Sequence, residues 1–352
     1  MNLSVCLITL NEEKNIDRVL SCAQKFADEI IVVDTGSNDL TVVKSLKYTD
    51  KIYNFKWVYD FAKARNFAFS KASGDYLMWL DADDYISDEN CKRILKIKNT
   101  FVPKDTYMFK YACGEDDGKH ELVFYRERIV RNCPLAKFQG FVHEVISPFG
   151  EIEYCDITVE HKKQSASNPR RNFNLYKMNQ KTQKLSIRDE YYYAKEYYYL
   201  GYYRTAKKRL LKFINSGKGY TPDVRDAYIT AYECSVFLGD KNPSKYLFRC
   251  IEKVGLDGEL SCKIGDYFQS KEQVDEAIKF YLLALKFEPD RCGGFIKTEY
   301  YYLYPLLQLC SVYYKIGDSK SSYFYHKKCM EKYSDDKRVA SNQEFFKSLN
   351  FC

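Results

Sequence analysis

The first half of this 352-residue chain alternates short apolar runs, rich in β-branched residues, with amphipathic stretches of helical period. This alternation is typical of a parallel sheet covered by helices, so we predict an α/β domain. Strands are expected at residues 3–10, 30–34, 51–55 and 76–80. Helices are expected between them at 12–27, 38–47 and 59–73.

Polar residues follow three of these predicted strands. They form the segments 9–12, 34–37 and 81–84. In an open α/β sheet, ligands bind outside the carboxyl ends of the strands. We therefore expect the three segments to meet at one crevice.

After residue 84 the alternation ends. Two β-type runs, 106–113 and 121–132, flank a turn-rich segment and predict an antiparallel hairpin. Further β-like pieces lie at 141–146 and 152–161. The polar, basic segment 162–171 is expected to connect two domains.

The second half is expected to consist of helical hairpins. Their turns are predicted at Leu200-Gly201, Leu238-Gly239, Lys271-Glu272 and Ile316-Gly317-Asp318. Successive turns lie about 33 to 45 residues apart, which brackets the ~34-residue period of tetratricopeptide repeats. The segment 264–289 carries the small-residue and aromatic pattern of that repeat most clearly. A helical bundle without a repeat is the alternative.

Thirty-three tyrosines are the strongest compositional anomaly, and eight of them lie between Tyr191 and Tyr203. We place the start of the second domain there. Most of these rings are expected in the core between packed helices, with one or two exposed and available to an extended peptide.

Charge and hydropathy exclude several classes of protein. The net charge is +7, but Lys and Arg are interspersed with acids, so we expect no nucleic-acid partner. No apolar run approaches the ~20 residues of a membrane span, and the first residues lack the features of a signal peptide. Cytoplasmic localisation without membrane insertion is therefore expected. The 13 cysteines form no C-x-x-C pair, which favours reduced thiols.

Motifs for dinucleotide, P-loop, zinc-protease and serine-hydrolase sites are absent from the sequence. What remains is Asp81-Ala82-Asp83, directly after the apolar run Tyr76–Leu80. Hard divalent ions such as Mg²⁺ prefer one or two carboxylates together with phosphate oxygens. The motif therefore suits a metal-bound diphosphate leaving group. A solvated loop is the alternative.

Four blocks place this motif in context: residues 8–13, 27–39, 60–66 and 74–84. In this order they resemble the nucleotide-sugar domain of family 2 glycosyltransferases with the GT-A fold. The resemblance continues more weakly to about residue 161, and the attached repeats are similar to the sublancin-type peptide S-glycosyltransferases. It implies a mixed, mostly parallel sheet with helices on both faces, followed by an all-α tetratricopeptide-like domain.

The resemblance also implies a nucleotide-sugar site. Thr9, Asn11, Glu12 and Asp34 would surround the nucleoside, which is expected to be uridine. A capping role in the turn that follows it is the alternative for Asp34. Arg65 would hold phosphate, or it is a solvated helix arginine.

In the same family the two acids of the Asp-x-Asp motif bind Mg²⁺ or Mn²⁺ on the donor. Here this implies Asp83 directly, and Asp81 through metal or ribose. Asp84 is expected to cap the following helix. His161 is a candidate for a further metal ligand, and a structural histidine is the alternative.

The acceptor side of the site is expected near Phe138–Glu144. Glu144 is the candidate general base, because an inverting transfer needs a carboxylate near the acceptor nucleophile. A surface glutamate is the alternative. Arg126 and Arg128 lie on one face of a strand, and both are predicted to approach the diphosphate; ordinary exposed strand arginines are the alternative.

Together these patterns predict a catalytic domain at 1–165, a linker with a first helix at 166–190, and helical repeats at 191–352. The predicted activity is inverting, metal-dependent sugar transfer from a UDP-sugar to a Cys, Ser or Thr side chain of a polypeptide held by the repeats. Transfer to a cell-surface glycan or lipid-linked precursor is one alternative, and a non-catalytic nucleotide-binding scaffold is another. Exposed repeat surfaces could also support a homodimer.

Overall fold

A computed structural model describes residues 1–100, 102–116, 119–162, 168–289 and 297–349 of the chain. It forms two compact units, Met1–Tyr192 and the residues from Tyr193 onward. None of the helices in the described ranges combines the length and apolar character that crossing a membrane requires.

The described residues of the first unit form ten strands and five complete helices. The strands are β1 (Leu3–Thr9), β2 (Glu29–Asp34), β3 (Ile52–Asn54), β4 (Tyr76–Asp81), β5 (Asp84–Tyr85), β6 (Thr106–Asp116), β7 (Lys119–Arg131), β8 (Phe138–Gln139), β9 (Val145–Ile146) and β10 (Ile152–His161). The helices are α1 (Ile16–Ala23), α2 (Thr41–Ser45), α3 (Phe61–Phe69), α4 (Asp88–Asn99) and α5 (Arg171–Asn179).

Eight strands form one mixed sheet in the order β3-β2-β1-β4-β7-β6-β10-β5. The pairs among β1, β2, β3 and β4 are parallel, as is the pair of β6 with β10. Strand β7 runs antiparallel to both β4 and β6, which confirms the predicted hairpin. Strands β8 and β9 form a separate two-stranded sheet.

Side chains alternate between two cores on opposite faces of this sheet. Along β4, Met78 and Leu80 join the core shared with α1, whereas Leu77 and Trp79 face the other core, which α3 covers. Burial on both faces explains why β1, β2 and β4 are almost continuously apolar. The predicted α/β class, with a mostly parallel sheet and helices on both faces, is confirmed.

Helices α1, α2 and α3 are shorter than predicted from the pattern of the sequence. Before α1, the backbone amides of Asn11 and Glu12 donate to Ser37 and Thr41 side chains at 2.9 and 2.7 Å. These bonds tie the two loops together ahead of the helix, which begins at Ile16. Helix α3 begins one residue after Asp60, whose carboxylate accepts a bond from the Lys63 amide at 2.9 Å.

Two local predictions were wrong. The segment 141–146 is not one strand: only Val145–Ile146 is extended, because Gly140 and His143 adopt positive φ angles of 88° and 52°. Asp84 does not cap α4; the side chain of Ser87 does, accepting a bond from the Asn90 amide at 3.3 Å.

From α6 (Ile187–Tyr199) onward the described residues are helical. The following helices are α7 (Tyr203–Asn215), α8 (Thr221–Phe237), α9 (Lys245–Val254), α10 (Gly258–Ser270), α11 (Val274–Ala284), α12 (Leu303–Lys315), α13 (Ser319–Tyr333) and α14 (Lys337–Ser348). A 3₁₀ turn, Thr298–Tyr301, precedes α12. The predicted all-α repeat domain is confirmed.

The four predicted hairpin turns share one geometry. Gly201, Gly239, Glu272 and Gly317 have φ angles of 78°, 68°, 58° and 83°. After each of them, the next backbone amide donates to a carbonyl five residues back at 2.9 to 3.0 Å, as Asp240 does to Ser235. This bond defines the Schellman ending of a helix, which favours glycine at the left-handed position. The turn residues therefore mark the repeat.

Within the tyrosine-rich segment three rings are buried, Tyr191, Tyr192 and Tyr193, and three are half-buried, Tyr197, Tyr198 and Tyr203. Tyr191 and Tyr193 are 1% and 0% exposed. Tyr199 and Tyr202 have 69% and 48% of their surface exposed, so these two rings remain accessible.

Candidate active site

A cavity of about 690 Å³ opens at the carboxyl ends of β1 and β4. Polar side chains from distant parts of the first unit line it, most of them carboxylates, arginines and histidines. They include Thr9, Glu12, Arg65, Asp81, Asp83, Arg126, His143, Glu144, His161 and Arg171. The predicted meeting of strand ends at one crevice therefore brings together most of the candidate residues.

Arg65 connects two of the candidate carboxylates. Its Nε donates to Glu144 Oε1 at 2.6 Å, and one terminal nitrogen donates to Asp81 Oδ1 at 2.5 Å. The guanidinium also lies over the Trp79 ring, 4.8 Å from its centroid. Trp79 and Asp81 share a face of β4 because side chains two apart in a strand point the same way.

The charges around Asp81 keep it ionised. Burial by itself would raise the pKa of this carboxyl, but the positive charges of Arg65 and Arg128 outweigh burial and hold the pKa well below its ordinary value. Asp81 thus contributes a permanent negative charge that is already compensated by arginine.

Asp83 and His161 form the second group of the site. His161 Nδ1 lies 3.3 Å from Asp83 Oδ1 and 3.1 Å from the Tyr111 hydroxyl. The hydrogen bond with Asp83 raises the pKa of His161, against the opposing effect of burial. Strand β10 delivers the imidazole, since His161 pairs with Asp84 of β5 in the antiparallel register.

Asp84 is the third member of this group, whereas the sequence suggested Asp81 as the second acidic metal ligand. Ligand atoms of Asp83, Asp84 and His161 all lie within 4.8 Å of one another. Asp84 Oδ1 is buried and has no hydrogen-bond partner among the described residues. An unpaired buried oxygen beside a carboxylate and an imidazole suits a divalent cation, so this donor set fits the implied metal.

Arg128 is not at the cavity, contrary to the expectation that it approaches a diphosphate. It is 0% exposed, and its guanidinium donates to Asp84 Oδ2 at 2.9 Å and stacks on Trp79 at 3.8 Å. Burial raises the pKa of Asp84 to about 6, although the charge of Arg128 acts in the opposite direction. Arg126, two residues earlier, is the arginine of β7 that lines the cavity.

The residues predicted to surround the nucleoside divide into two pairs. Thr9 and Glu12 line the cavity. Asp34 and Asn11 lie in the adjoining loops: Asp34 accepts bonds from the amides of Gly36 and Ser37, at 3.0 Å each, and Asn11 accepts one from the Asn38 amide at 2.9 Å. Asp34 thus makes the turn-stabilising contacts that were its alternative role.

Sequence reasoning missed the aromatic wall of the cavity, which is formed by Trp57, Tyr59 and Phe61. Trp57 packs edge-on against Phe61 with centroids 4.8 Å apart. Tyr59 has a φ of 60°, which is unusual for an aromatic residue. The sequence carries no signal for this conformation. The position of Trp79 could have been found, because strand alternation places it on the face of Asp81.

Comparison with known proteins agrees with this fold. Residues 4–122 match the family model described as glycosyl transferase family 2. The first part of the chain is thus a glycosyltransferase family 2 domain with a GT-A-like sheet, and it is followed by helical repeats.

Individual relatives resemble parts of the chain. A TPR repeat-containing protein of Synechococcus elongatus is 29% identical over 144 residues, 41% of this chain and 35% of that protein. The SPbeta prophage-derived glycosyltransferase SunS of Bacillus subtilis is 32% identical over 142 residues, 39% of this chain and 33% of SunS. The chain thus spans about a third of the length of these relatives. The crystal structure of S. aureus TarS aligns with 79% of this chain and 54% of that chain, at 16% identity and a TM-score of 0.37.

Proposed function

We propose that the protein is an inverting, metal-dependent glycosyltransferase that moves a sugar from a nucleotide-sugar donor, with UDP-sugars as the first candidates, to a side chain of a polypeptide. The observation that carries the proposal is the cavity at the carboxyl ends of β1 and β4. It holds two separate groups, Asp83 with His161 and Glu144 with Arg65. The match of residues 4–122 to a glycosyltransferase family supports it.

In a displacement reaction, one of these groups suits the leaving group and the other suits the attacking nucleophile. Asp83 and His161, with the unpaired oxygen of Asp84, would hold Mg²⁺ or Mn²⁺. When bound, the cation would stabilise negative charge on the departing diphosphate.

Glu144 would act at the other end, as the base that takes the proton from the acceptor nucleophile. Its side chain is 12% exposed, so it is largely shielded from water but reaches the cavity. Arg126 donates to the Glu144 carbonyl at 3.2 Å and so helps to fix the backbone at this position.

The nucleoside would lie against Thr9 and Glu12, which line the same cavity. For Asp34 and Asn11, the contacts with neighbouring amides favour an indirect role, in which they shape the loops beside the nucleoside.

A polypeptide acceptor is supported by a polar row within the repeat unit. Ion pairs link the first helices of successive hairpins, Lys195–Asp226 at 2.8 Å and Lys263–Glu233 at 2.9 Å. A third pair, Lys297–Glu259 at 2.7 Å, links α10 to the residue before the 3₁₀ turn. Polar groups that recur at each repeat suit an extended chain better than a compact sugar.

The experiment that tests the proposal measures nucleoside diphosphate release from a panel of UDP- and GDP-sugars, with Mn²⁺, with Mg²⁺ and with EDTA. Mass spectrometry of candidate peptides incubated in the same reactions identifies the acceptor. The proposal predicts donor-selective, metal-dependent release and a peptide that gains one sugar mass. Transfer to a glycan alone would replace the acceptor, and a protein that binds UDP but releases nothing with any acceptor would be a scaffold.

The contribution of the repeats is tested by Lys263→Met, which removes one cation of the polar row. We expect the KM for the peptide to rise about tenfold, as for the loss of one charge-assisted contact, while donor hydrolysis is unchanged. Lys279→Met, an exposed lysine of α11, is the matched control. Equal peptide kinetics in the two variants would contradict a role of the row in acceptor binding.

A further inference from the structure

The loop that carries Glu144, residues 138–146, is attached to one face of helix α3. The Phe61 amide donates to the Phe141 carbonyl at 2.9 Å. The side-chain amide of Asn66 bonds both the carbonyl and the amide of Phe138, at 3.0 and 2.9 Å. Residues four apart lie on one side of a helix, as Phe61 and Arg65 do, and Asn66 directly follows Arg65. The sequence block 60–66 therefore supports this loop.

Among the described residues of this helix face, Arg65 is the one that hydrogen-bonds the Glu144 side chain. Arg65 is 6% exposed, and its guanidinium lies against the rings of Trp79 and Phe138, 4.8 and 5.4 Å from their centroids. Two of its three nitrogens donate to carboxylates, Nε to Glu144 and a terminal nitrogen to Asp81. A phosphate would have to displace these carboxylates to bind the same nitrogens.

We propose that Arg65 is a positioning residue for Glu144, holding the carboxylate at the acceptor side, and that it is not a ligand of the donor's phosphates. The inference rests on the proposed function, because it assigns Glu144 the part of the base. The planar, always charged guanidinium can bridge two carboxylates in fixed directions, whereas the single ammonium of lysine cannot.

The backbone beside Glu144 is strained, which is consistent with a loop whose conformation is enforced by contacts from neighbouring elements. His143 has a φ of 52°, a conformation that side chains other than glycine rarely adopt. Such conformations persist where the surrounding contacts enforce them. Here the contacts include those from α3 and from Arg126, which donates to the Glu144 carbonyl, and the His143 ring stacks on Tyr192 with centroids 4.2 Å apart.

The test compares Arg65→Gln and Arg65→Lys with Glu29→Gln, which removes a carboxylate that does not line the cavity. Turnover is measured for the single variants and for the double variant of Arg65→Gln with Glu144→Gln. We expect kcat to fall about 100-fold in Arg65→Gln, with the Kd of UDP in Mn²⁺ within about threefold of wild type. In the Glu144→Gln background, the same change should lower kcat less than about threefold further, because Arg65 acts through Glu144.

A weakening of UDP binding by more than about tenfold in Arg65→Gln, or fully multiplicative losses in the double variant, would overturn the proposal. A purely structural role also gives multiplicative losses, so the double variant separates the two.

Hydrogen exchange of the peptide spanning 138–146 decides the question even for a protein without turnover. Faster exchange of this peptide in Arg65→Lys than in Glu29→Gln supports positioning, and equal exchange overturns it. If wild type shows no transfer while the loop is loosened in Arg65→Lys, the proposed function fails and the positioning contact stands.

Discussion

In the two units of this chain, hydrogen bonds join residues that are separated by very different distances along the sequence. In the α/β unit, the bond between Arg65 and Glu144 joins residues 79 positions apart. In the repeat unit, each hairpin turn is closed by bonds within six residues, as between Asp240 and Ser235. The first arrangement depends on the whole sheet, whereas the second depends on local backbone geometry. Substitutions at the cavity of the first unit should therefore alter activity, and substitutions at the turns of the second unit should alter local stability.

The largest expected effect is on catalysis. Glu144→Gln keeps the shape of the side chain but removes the base, so kcat should fall about 1000-fold with little change in the donor KM. Steady-state kinetics check this expectation. Glu151→Gln, in an exposed carboxylate seven residues later, is the control and should behave as wild type. A loss of less than tenfold in Glu144→Gln would show that another group takes the proton.

A carboxylate away from the cavity should affect only stability. Glu29 accepts bonds from Lys51 at 2.5 Å and from the Ser73 amide at 2.8 Å, and a further bond joins it to Ser4. Burial would raise its pKa, but these bonds prevail and lower the pKa from 4.5 to about 2. The ionised form should therefore stabilise the fold by about 3 kcal/mol.

The sign of this effect sets its pH dependence. Because the folded pKa lies below the unfolded value, the stabilisation is complete above pH 4.5 and is lost as the pH falls toward 2. Denaturation of wild type and Glu29→Gln at several pH values should show a difference that is large at pH 7 and shrinks in acid. A difference independent of pH would refute the assignment to this carboxylate.

Packing between helices α10 and α11 should tolerate no added methyl group. A Cβ at Gly265 would lie 2.6 Å from a carbon of the Tyr281 ring, whose hydroxyl donates to Asp266 at 2.8 Å. Gly265→Ala should therefore cost about 1–2 kcal/mol net, after about 1 kcal/mol gained in helix propensity. Calorimetry against the exposed control Ser270→Ala measures this. A more stable Gly265→Ala protein would mean that the tyrosine ring can move.

The smallest effects are expected at the hairpin turns, with opposite signs at two equivalent positions. Nothing lies within 4 Å of a Cβ added at Gly239, so Gly239→Ala should cost only the left-handed backbone conformation, about 1 kcal/mol. Glu272→Gly should gain about 0.5–1 kcal/mol, since glycine removes that strain but adds entropy to the unfolded chain. Chemical denaturation compares both variants. The same sign at both positions would contradict a shared turn geometry.

This contrast also explains what the sequence could predict. The repeat turns were predicted correctly because residues such as Gly201 and Gly317 mark local geometry at a regular interval. The sheet and its crevice followed from alternating apolar runs and from the blocks shared with a known family. The partners of Arg65 and Arg128 could not be predicted, because ion pairs between distant strands and helices depend on register and packing. The residue pattern also did not indicate the left-handed backbone conformations of Tyr59 and His143.

The most direct test of the account is the turnover of Asp83→Ala with saturating donor and Mn²⁺, next to wild type and Glu29→Gln. The account predicts nucleoside diphosphate release at least about 1000-fold slower in Asp83→Ala, with Glu29→Gln within about threefold of wild type. Release by Asp83→Ala at the wild-type rate, or equally fast in EDTA, would contradict a metal-dependent transferase site at this cavity.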